Sequence, residues 1–225
     1  MNIIKSVEIF DYLEQLHANN NREWFNEHKK EFKKKEEQIK VFFQQLNGQI
    51  NQFDLIDSYK VFRIYRDVRF SKNKTPYKTH FAASFHRQKP ELRGGYYVHL
   101  SPNNQSFLAA GFWQPNTIDL LRIRKELEID ATDFRNIINE TTFKSIWGEL
   151  GGDELKTAPR GFLKDHENMD LIKKKMFVFK KQFTDQQVYN DNFTEKVGVT
   201  FKAILPFFNY MSEILTTDLN GESLI

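Results

Sequence analysis

His80-Phe81-Ala82-Ala83-Ser84-Phe85-His86-Arg87-Gln88, Gly95-Tyr96-Tyr97-Val98-His99-Leu100-Ser101 and Gln105-Ser106-Phe107-Leu108-Ala109-Ala110-Gly111-Phe112-Trp113 follow one another with short breaks, and their reading decides the fold. In the first run Phe81, Ala83 and Phe85 alternate with His80, Ala82, Ser84 and His86, the two-residue period of a half-buried strand. Pro102-Asn103-Asn104 joins the second and third runs as a hairpin-type connection. Upstream, Val61-Phe62-Arg63-Ile64-Tyr65-Arg66-Asp67-Val68-Arg69-Phe70 also has period two. Phe62, Ile64, Val68 and Phe70 form its apolar face, and Arg63, Tyr65, Asp67 and Arg69 its polar one. Four short strands joined by tight turns predict an antiparallel meander. Residues 177–183 read as one further strand.

Helices are predicted on both sides of the meander, which makes the fold class α+β. Ser6 can cap a first helix with Phe10, Leu13 and Leu16 on one face. Asn20 and Glu23 have capping-box spacing and open a second helix. Phe25, Phe32, Ile39, Leu46 and Phe53 recur there every seven residues, which suits a long helix lying on a partner. Lys29, Lys30, Lys33, Lys34 and Lys35 alternate with Glu27, Glu31, Glu36 and Glu37 on its outer face, as solvated ion pairs would. After Pro115, helices are expected near 117–127, 131–138 and 142–150, and residues 156–165 are irregular. Thr184 with Gln187 gives a second capping box. A last helix carries Phe193, Val197, Phe201, Ile204, Phe208, Met211 and Leu215, kinked at Pro206. No repeat or linker divides the chain, so residues 1–225 read as one domain.

Composition sets the outer bounds. Hydrophobic residues make up 40% and charged residues 28%, which places the chain among globular proteins rather than disordered or fibrous ones. The 22 Phe, with 8 Tyr and 3 Trp, predict a core built on rings. The absence of cysteine excludes disulfides, thiolate metal sites and a Cys nucleophile. Glu8 and Asp11 interrupt any signal-peptide core near the start. No run approaches the roughly 18 apolar residues of a membrane span. A cytoplasmic protein without a membrane partner is the expectation.

The net charge of +3 says little, but its distribution says more. Lys60, Arg63, Arg66, Arg69, Lys72, Lys74 and Lys78 face the single acid Asp67 between residues 60 and 80. Planar guanidinium groups on a strand, followed by the loop Ser71-Lys72-Asn73-Lys74-Thr75-Pro76, suit phosphate or carboxylate recognition. The alternative is internal pairing with acids such as Glu23, Glu27 or Asp119. Arg66 interrupts the apolar face: either a bulge turns it outward, or it is buried against a carboxylate.

That segment, together with Asn20-Asn21-Arg22-Glu23-Trp24-Phe25, Tyr96-Tyr97-Val98-His99-Leu100, Gly111-Phe112-Trp113-Gln114-Pro115 and Pro159-Arg160-Gly161-Phe162, resembles the bacterial "domain of unknown function 2461" family. The resemblance covers nearly the whole chain. It implies a single-domain protein with no established activity, and it transfers no catalytic or binding residue.

Histidines offer a second chemistry. With a loop over residues 89–94, Ser84 would face His99 and His86 would face Tyr97, so His80, His86 and His99 could share one sheet surface. Residues six apart on a strand lie roughly 20 Å apart, which argues against one shared metal ion. No G-x-S-x-G elbow or phosphate-cradling glycine loop occurs, and no cofactor is indicated. Of Trp24, Trp113 and Trp147, at least two are expected in the core.

The leading expectation is therefore a binding site for a small anion (phosphate, nucleotide or phosphosugar), with hydrolytic or transfer chemistry left open. Arg63, Arg66, Arg69, Lys72, Lys74 and Lys78 supply charge, and Tyr65, Tyr77 and His80 supply orientation. A nucleic-acid-binding module using the same patch and the lysine-rich helix is the alternative. A protein-interaction scaffold with internally paired arginines is the third.

Overall fold

Five strands form a single antiparallel sheet in the order β1-β2-β3-β4-β5 in the computed structural model, which describes residues 6–225. They are β1 (Ile56–Val61), β2 (Phe81–Arg87), β3 (Gly95–Leu100), β4 (Ser106–Phe112) and β5 (Phe177–Phe183). Residues 1–5 and the capping role of the Ser6 side chain lie outside the described residues. The N-terminal helices are α1 (Ser6–Ala18), α2 (Arg22–Glu27) and α3 (Lys29–Ile50). Between β4 and β5 lie α4 (Thr117–Ile129), α5 (Thr132–Asn139), α6 (Thr141–Trp147) and α7 (Met169–Ile172), and α8 (Asp185–Val188), α9 (Phe193–Lys202) and α10 (Leu205–Thr216) end the chain. The architecture is α+β, an antiparallel meander packed against N- and C-terminal helices.

Period-two alternation gives the sheet one apolar face. Phe81, Ala83 and Phe85, then Tyr96, Val98 and Leu100, then Leu108, Ala110 and Phe112, then Phe177, Phe179 and Phe183 are all buried. Rings from the helices cover it: Phe43 meets Phe85, Phe201 meets Tyr96, and Phe207 meets Phe112 and Phe179. The seven-residue stripe of α3 is buried at Phe32, Ile39 and Leu46, and α3 packs on α9. The opposite sheet face carries Ser84, His86, Tyr97, His99, Phe107 and Lys180, and it stays open as a cleft.

Several sequence expectations need correction. Residues 62–70 are not a strand of the sheet. After β1 only Phe62 continues the pairing, donating its N–H to Ala82 O at 2.9 Å. The chain then pinches on itself through Arg66 N to Pro76 O, Lys78 N to Ile64 O and a Tyr65–Tyr77 bridge. The backbone satisfies its polar groups locally, so residues 62–80 leave the sheet as an excursion. Burial still alternates, with Ile64 buried and Arg63 and Tyr65 exposed, but Phe70 is 96% exposed rather than on an apolar face.

The β2–β3 register is two residues away from the expected one: Ser84 faces Tyr97, Ala82 faces His99, and His86 faces Gly95. Gln88 gives its N–H to Leu55 O instead of continuing β2, and the Arg87 side chain is anchored in the core, so the strand stops one residue early. The second helix is two helices broken at His28, whose ring stacks on Trp24 with centroids 4.0 Å apart. Its cap is Asn21 rather than Asn20, with Oδ1 accepting from Trp24 N at 2.9 Å. The C-terminal helix is likewise divided at residues 203–204, and Pro206 opens α10 rather than kinking a continuous helix. The Thr184–Gln187 capping box forms as expected. On α3 Lys33 pairs with Glu36, Lys35 with Glu31 and Lys40 with Glu37, but Lys35 is buried rather than on the outer face, and Lys29, Lys30 and Lys34 make no ion pair among the described residues.

Candidate functional site

Because Asn21 caps α2, Asn20 is released to another task. Its Nδ2 donates to Tyr77 O at 3.0 Å and its Oδ1 accepts from Tyr77 N at 3.1 Å. The Tyr77 ring stacks on Phe25 with centroids 4.0 Å apart. The N-terminal helical turn thus holds the returning limb of the excursion at its middle. Asn73 shapes the limb before it, its Oδ1 accepting from both the Thr75 N–H and hydroxyl. Between excursion and α1 lies a cavity of about 480 Å³, lined by Arg66, Asp67, Asn73, Thr75, Tyr77, Lys78, Thr79 and His80, with His17 and Asn20.

Four of the nine residues expected at the site meet there: Arg66, Tyr77, Lys78 and His80. Arg66 is half-buried and donates through one guanidinium nitrogen to Thr75 Oγ1, without a carboxylate partner among the described residues. Of the two alternatives for Arg66, burial against a carboxylate is therefore not what forms, since the pinched backbone presents a hydroxyl to it. Lys78 Nζ donates to Arg63 O at 3.0 Å and lies 5.4 Å from the Phe62 ring centroid. The other five residues stand apart from the cavity. Arg69 is exposed and binds Asp67 at 2.6 Å, Lys74 donates to Val68 O, and Arg63, Tyr65 and Lys72 point to solvent around the excursion. Asp119, one of the acids that internal pairing of the basic segment would use, pairs with Arg93 instead.

Electrostatics follow from this placement. The hydrogen bonds from Arg69 hold the Asp67 carboxyl below the usual carboxylate range. Burial, with Arg63 and Lys60 nearby, pulls the Lys78 ammonium down. His80 and His99 lie ring against ring, centroids 4.1 Å apart. Burial, then Lys78 and Arg66, brings His80 down to about 4. Burial, then His80 and Lys180, brings His99 down to about 3. Both are neutral in the folded protein at neutral pH. Among the described residues they have no third ligating group, and no cluster of three His, Asp or Glu is placed to hold a metal ion.

Acid should therefore destabilise the fold through this pair. Above about pH 6.5 both rings are neutral whether the chain is folded or not. As pH falls from there through about 4 and about 3, the unfolded chain takes up protons that the folded one refuses, so stability is lost. For two half-buried rings, partly screened by solvent, the loss is on the order of 2 kcal/mol. Urea unfolding of the wild type and of a His80→Gln/His99→Gln variant should diverge across that window, with the variant flatter. Parallel pH profiles would contradict it.

The larger concavity is on the open sheet face, a cleft of about 790 Å³ lined by Phe62, Ser84, His86, Tyr97, Phe107, Trp113, Asp119 and Lys180 among others. Ser84 Oγ lies 3.2 Å from His86 Nε2, so its histidine partner is His86 and not the expected His99. Trp147 is buried and Trp24 half-buried, whereas Trp113 is 43% exposed at the rim of this cleft.

Residues 8–210 match the family model described as "Conserved hypothetical protein (DUF2461)". The chain belongs to that family. No curated protein and no solved structure is similar enough to count as a match. Of the stretches behind the resemblance, all but Pro159-Arg160-Gly161-Phe162 contribute to one of the two concavities. Asn20 and residues 66–78 build the smaller cavity, and Tyr97, with residues 111–115, lines the larger cleft. Sequence reasoning misses the cleft as a site because its residues are distributed over four strands. The only sequence signal for it is the pair of motifs containing Tyr97 and Trp113.

Proposed function

We propose that the protein binds a small anion, phosphate or a phosphorylated small molecule, in the cavity beneath the 62–80 excursion. One observation carries this reading: Arg66 and Lys78 converge on the cavity, and neither is paired with a carboxylate among the described residues. Half-buried cations are costly without an anion: burial, with Arg63 and Lys60 nearby, already pulls the Lys78 ammonium down. An incoming phosphate would relieve it. Arg66 would offer its remaining N–H groups, Lys78 a point charge, and Thr79 and neutral His80 hydrogen bonds. Asp67 also lines the cavity, but Arg69 occupies its two oxygens. Binding, rather than hydrolysis or transfer, is what these groups support. A cysteine-free chain in the phosphate-rich cytoplasm fits the same reading. No described helix is long and apolar enough to cross a membrane.

Nucleic acid is the second reading: Lys33, Lys35 and Lys40 of α3 are engaged with glutamates, which leaves the exposed Lys29, Lys30 and Lys34 to extend a basic surface. Phosphate, pyrophosphate and sugar phosphates in a thermal-shift series should separate these readings. A ligand at 100 times its dissociation constant stabilises by about 2.7 kcal/mol, or several degrees in a chain of this size. An Arg66→Ala/Lys78→Ala variant should lose that shift while melting near the wild type without ligand. If no anion stabilises the protein, or if the shift survives both substitutions, the reading fails. Tight binding of an oligonucleotide, with affinity falling steeply as salt rises, would replace it with the nucleic-acid alternative.

A further inference from the structure

The open-face cleft is a second site, built differently from the anion cavity. Its floor is bare backbone: Gly95 and Gly111 face each other across β3 and β4, and Ala109 follows. Gly111 has φ +145°, and a Cβ there would lie 2.1 Å from Phe177 O, so the floor is kept flat by the sheet itself. Rings stand around it. Tyr97 packs on Phe62, Phe107 and Trp113 at centroid separations of 6.0, 5.8 and 6.4 Å. Lys180 Nζ sits 4.0 Å from the Phe107 ring centroid, and neither Lys180 nor Lys89 at the rim has a carboxylate partner among the described residues. Arg93 and Asp119 neutralise each other at one end.

A flat peptide floor, aromatic walls and uncompensated ammonium groups select for a planar ring bearing a negative charge. The volume, about 790 Å³, suits a small molecule rather than a polymer. We infer that this cleft binds a planar aromatic anion, its ring against Tyr97 and Trp113 and its charge on Lys180. This stands independently of the anion cavity, since the two share no lining residue.

The probe is 2-naphthyl phosphate, followed by isothermal titration calorimetry against cyclohexyl phosphate, 2-naphthol and inorganic phosphate. One 2-naphthyl phosphate should bind per cleft, about ten-fold more tightly than cyclohexyl phosphate, the size of one stacking contact. Trp113→Ala should weaken it about ten-fold. Lys180→Met should weaken the phosphate by a similar factor and leave 2-naphthol unaffected. Both side chains are exposed, so both variants should fold. Arg66→Ala/Lys78→Ala should leave 2-naphthyl phosphate at this site unchanged even if it abolishes the response to inorganic phosphate. No binding of 2-naphthyl phosphate, equal binding of cyclohexyl phosphate, or affinity that survives both Trp113→Ala and Lys180→Met would overturn the inference. Loss of all binding in the Arg66/Lys78 variant alone would overturn it too, by placing the ligand in the other cavity.

Discussion

Asp54→Ala is expected to remove about 3–5 kcal/mol of stability and lower the melting midpoint by about 10 °C. Asp54 and Arg87 have side chains only 2% and 1% exposed, and they meet in a two-pronged pair: Arg87 Nε to Asp54 Oδ2 at 2.7 Å and an Arg87 terminal nitrogen to Asp54 Oδ1 at 3.0 Å. The Tyr96 hydroxyl donates to the same carboxylate, and burial, then Asp54, pushes that phenol well above its ordinary range. Arg87 also reaches Arg93 O at 2.9 Å and Ser212 Oγ at 3.1 Å, tying β2 to α10 and to the loop before β3. Removing the carboxylate leaves a buried guanidinium with its largest partner gone, and the cost is that of an uncompensated charge. Because the penalty comes from breaking the pair, Asp54→Leu combined with Arg87→Met should recover much of the loss. Urea unfolding of the single and double variants measures both effects. A single variant that loses less than about 1 kcal/mol would mean that water reaches the pair.

Gly111→Ala should be comparably severe, costing about 3 kcal/mol or more. The methyl group would be driven into the β5 backbone, 2.1 Å from Phe177 O and 2.8 Å from Val178 Cα, on a residue whose φ of +145° disfavours any side chain. Relief requires β4 and β5 to separate, so hydrogen exchange should accelerate along residues 177–183. Gly48→Ala is the matched control. Gly48 lies inside α3, where an added methyl group would meet nothing within 4 Å, so this change should stabilise by about 0.5–1 kcal/mol. Equal, small effects at both positions would show that the sheet can absorb the extra carbon.

Periodicity made much of this fold legible. The alternation in residues 80–113 identified the central strands and their buried faces, because a strand's side-chain period holds wherever one face is covered. The ring spacing of α3 and the Thr184–Gln187 cap were equally local and equally readable. The concentration of Arg and Lys between residues 60 and 80 marked the region where Arg66, Tyr77, Lys78 and His80 converge.

Tertiary structure decided the rest. Residues 62–70 alternate like a strand, yet whether they join the sheet depends on which partners their backbone groups find: Arg66 N–H finds Pro76 O, and Ile64 O accepts from Lys78 N–H, in place of a neighbouring strand. Asn20 and Asn21 are indistinguishable as caps by composition. The choice fell to Asn21 because Asn20 has a backbone partner 57 residues away at Tyr77. The β2–β3 register differs by two residues because pairing stops at His86 and Gly95: the Arg87 side chain is held by Asp54 and Arg93 O and Gln88 N–H by Leu55 O, so residues 87–94 rather than 89–94 make the connection. The open-face cleft joins β2, β3, β4 and β5, and no window of sequence contains it. Local patterns in the chain determine which face of an element is apolar. Which atoms satisfy a particular donor or fill a particular gap is settled by long-range partners, because buried polar groups and packed rings must be matched in three dimensions.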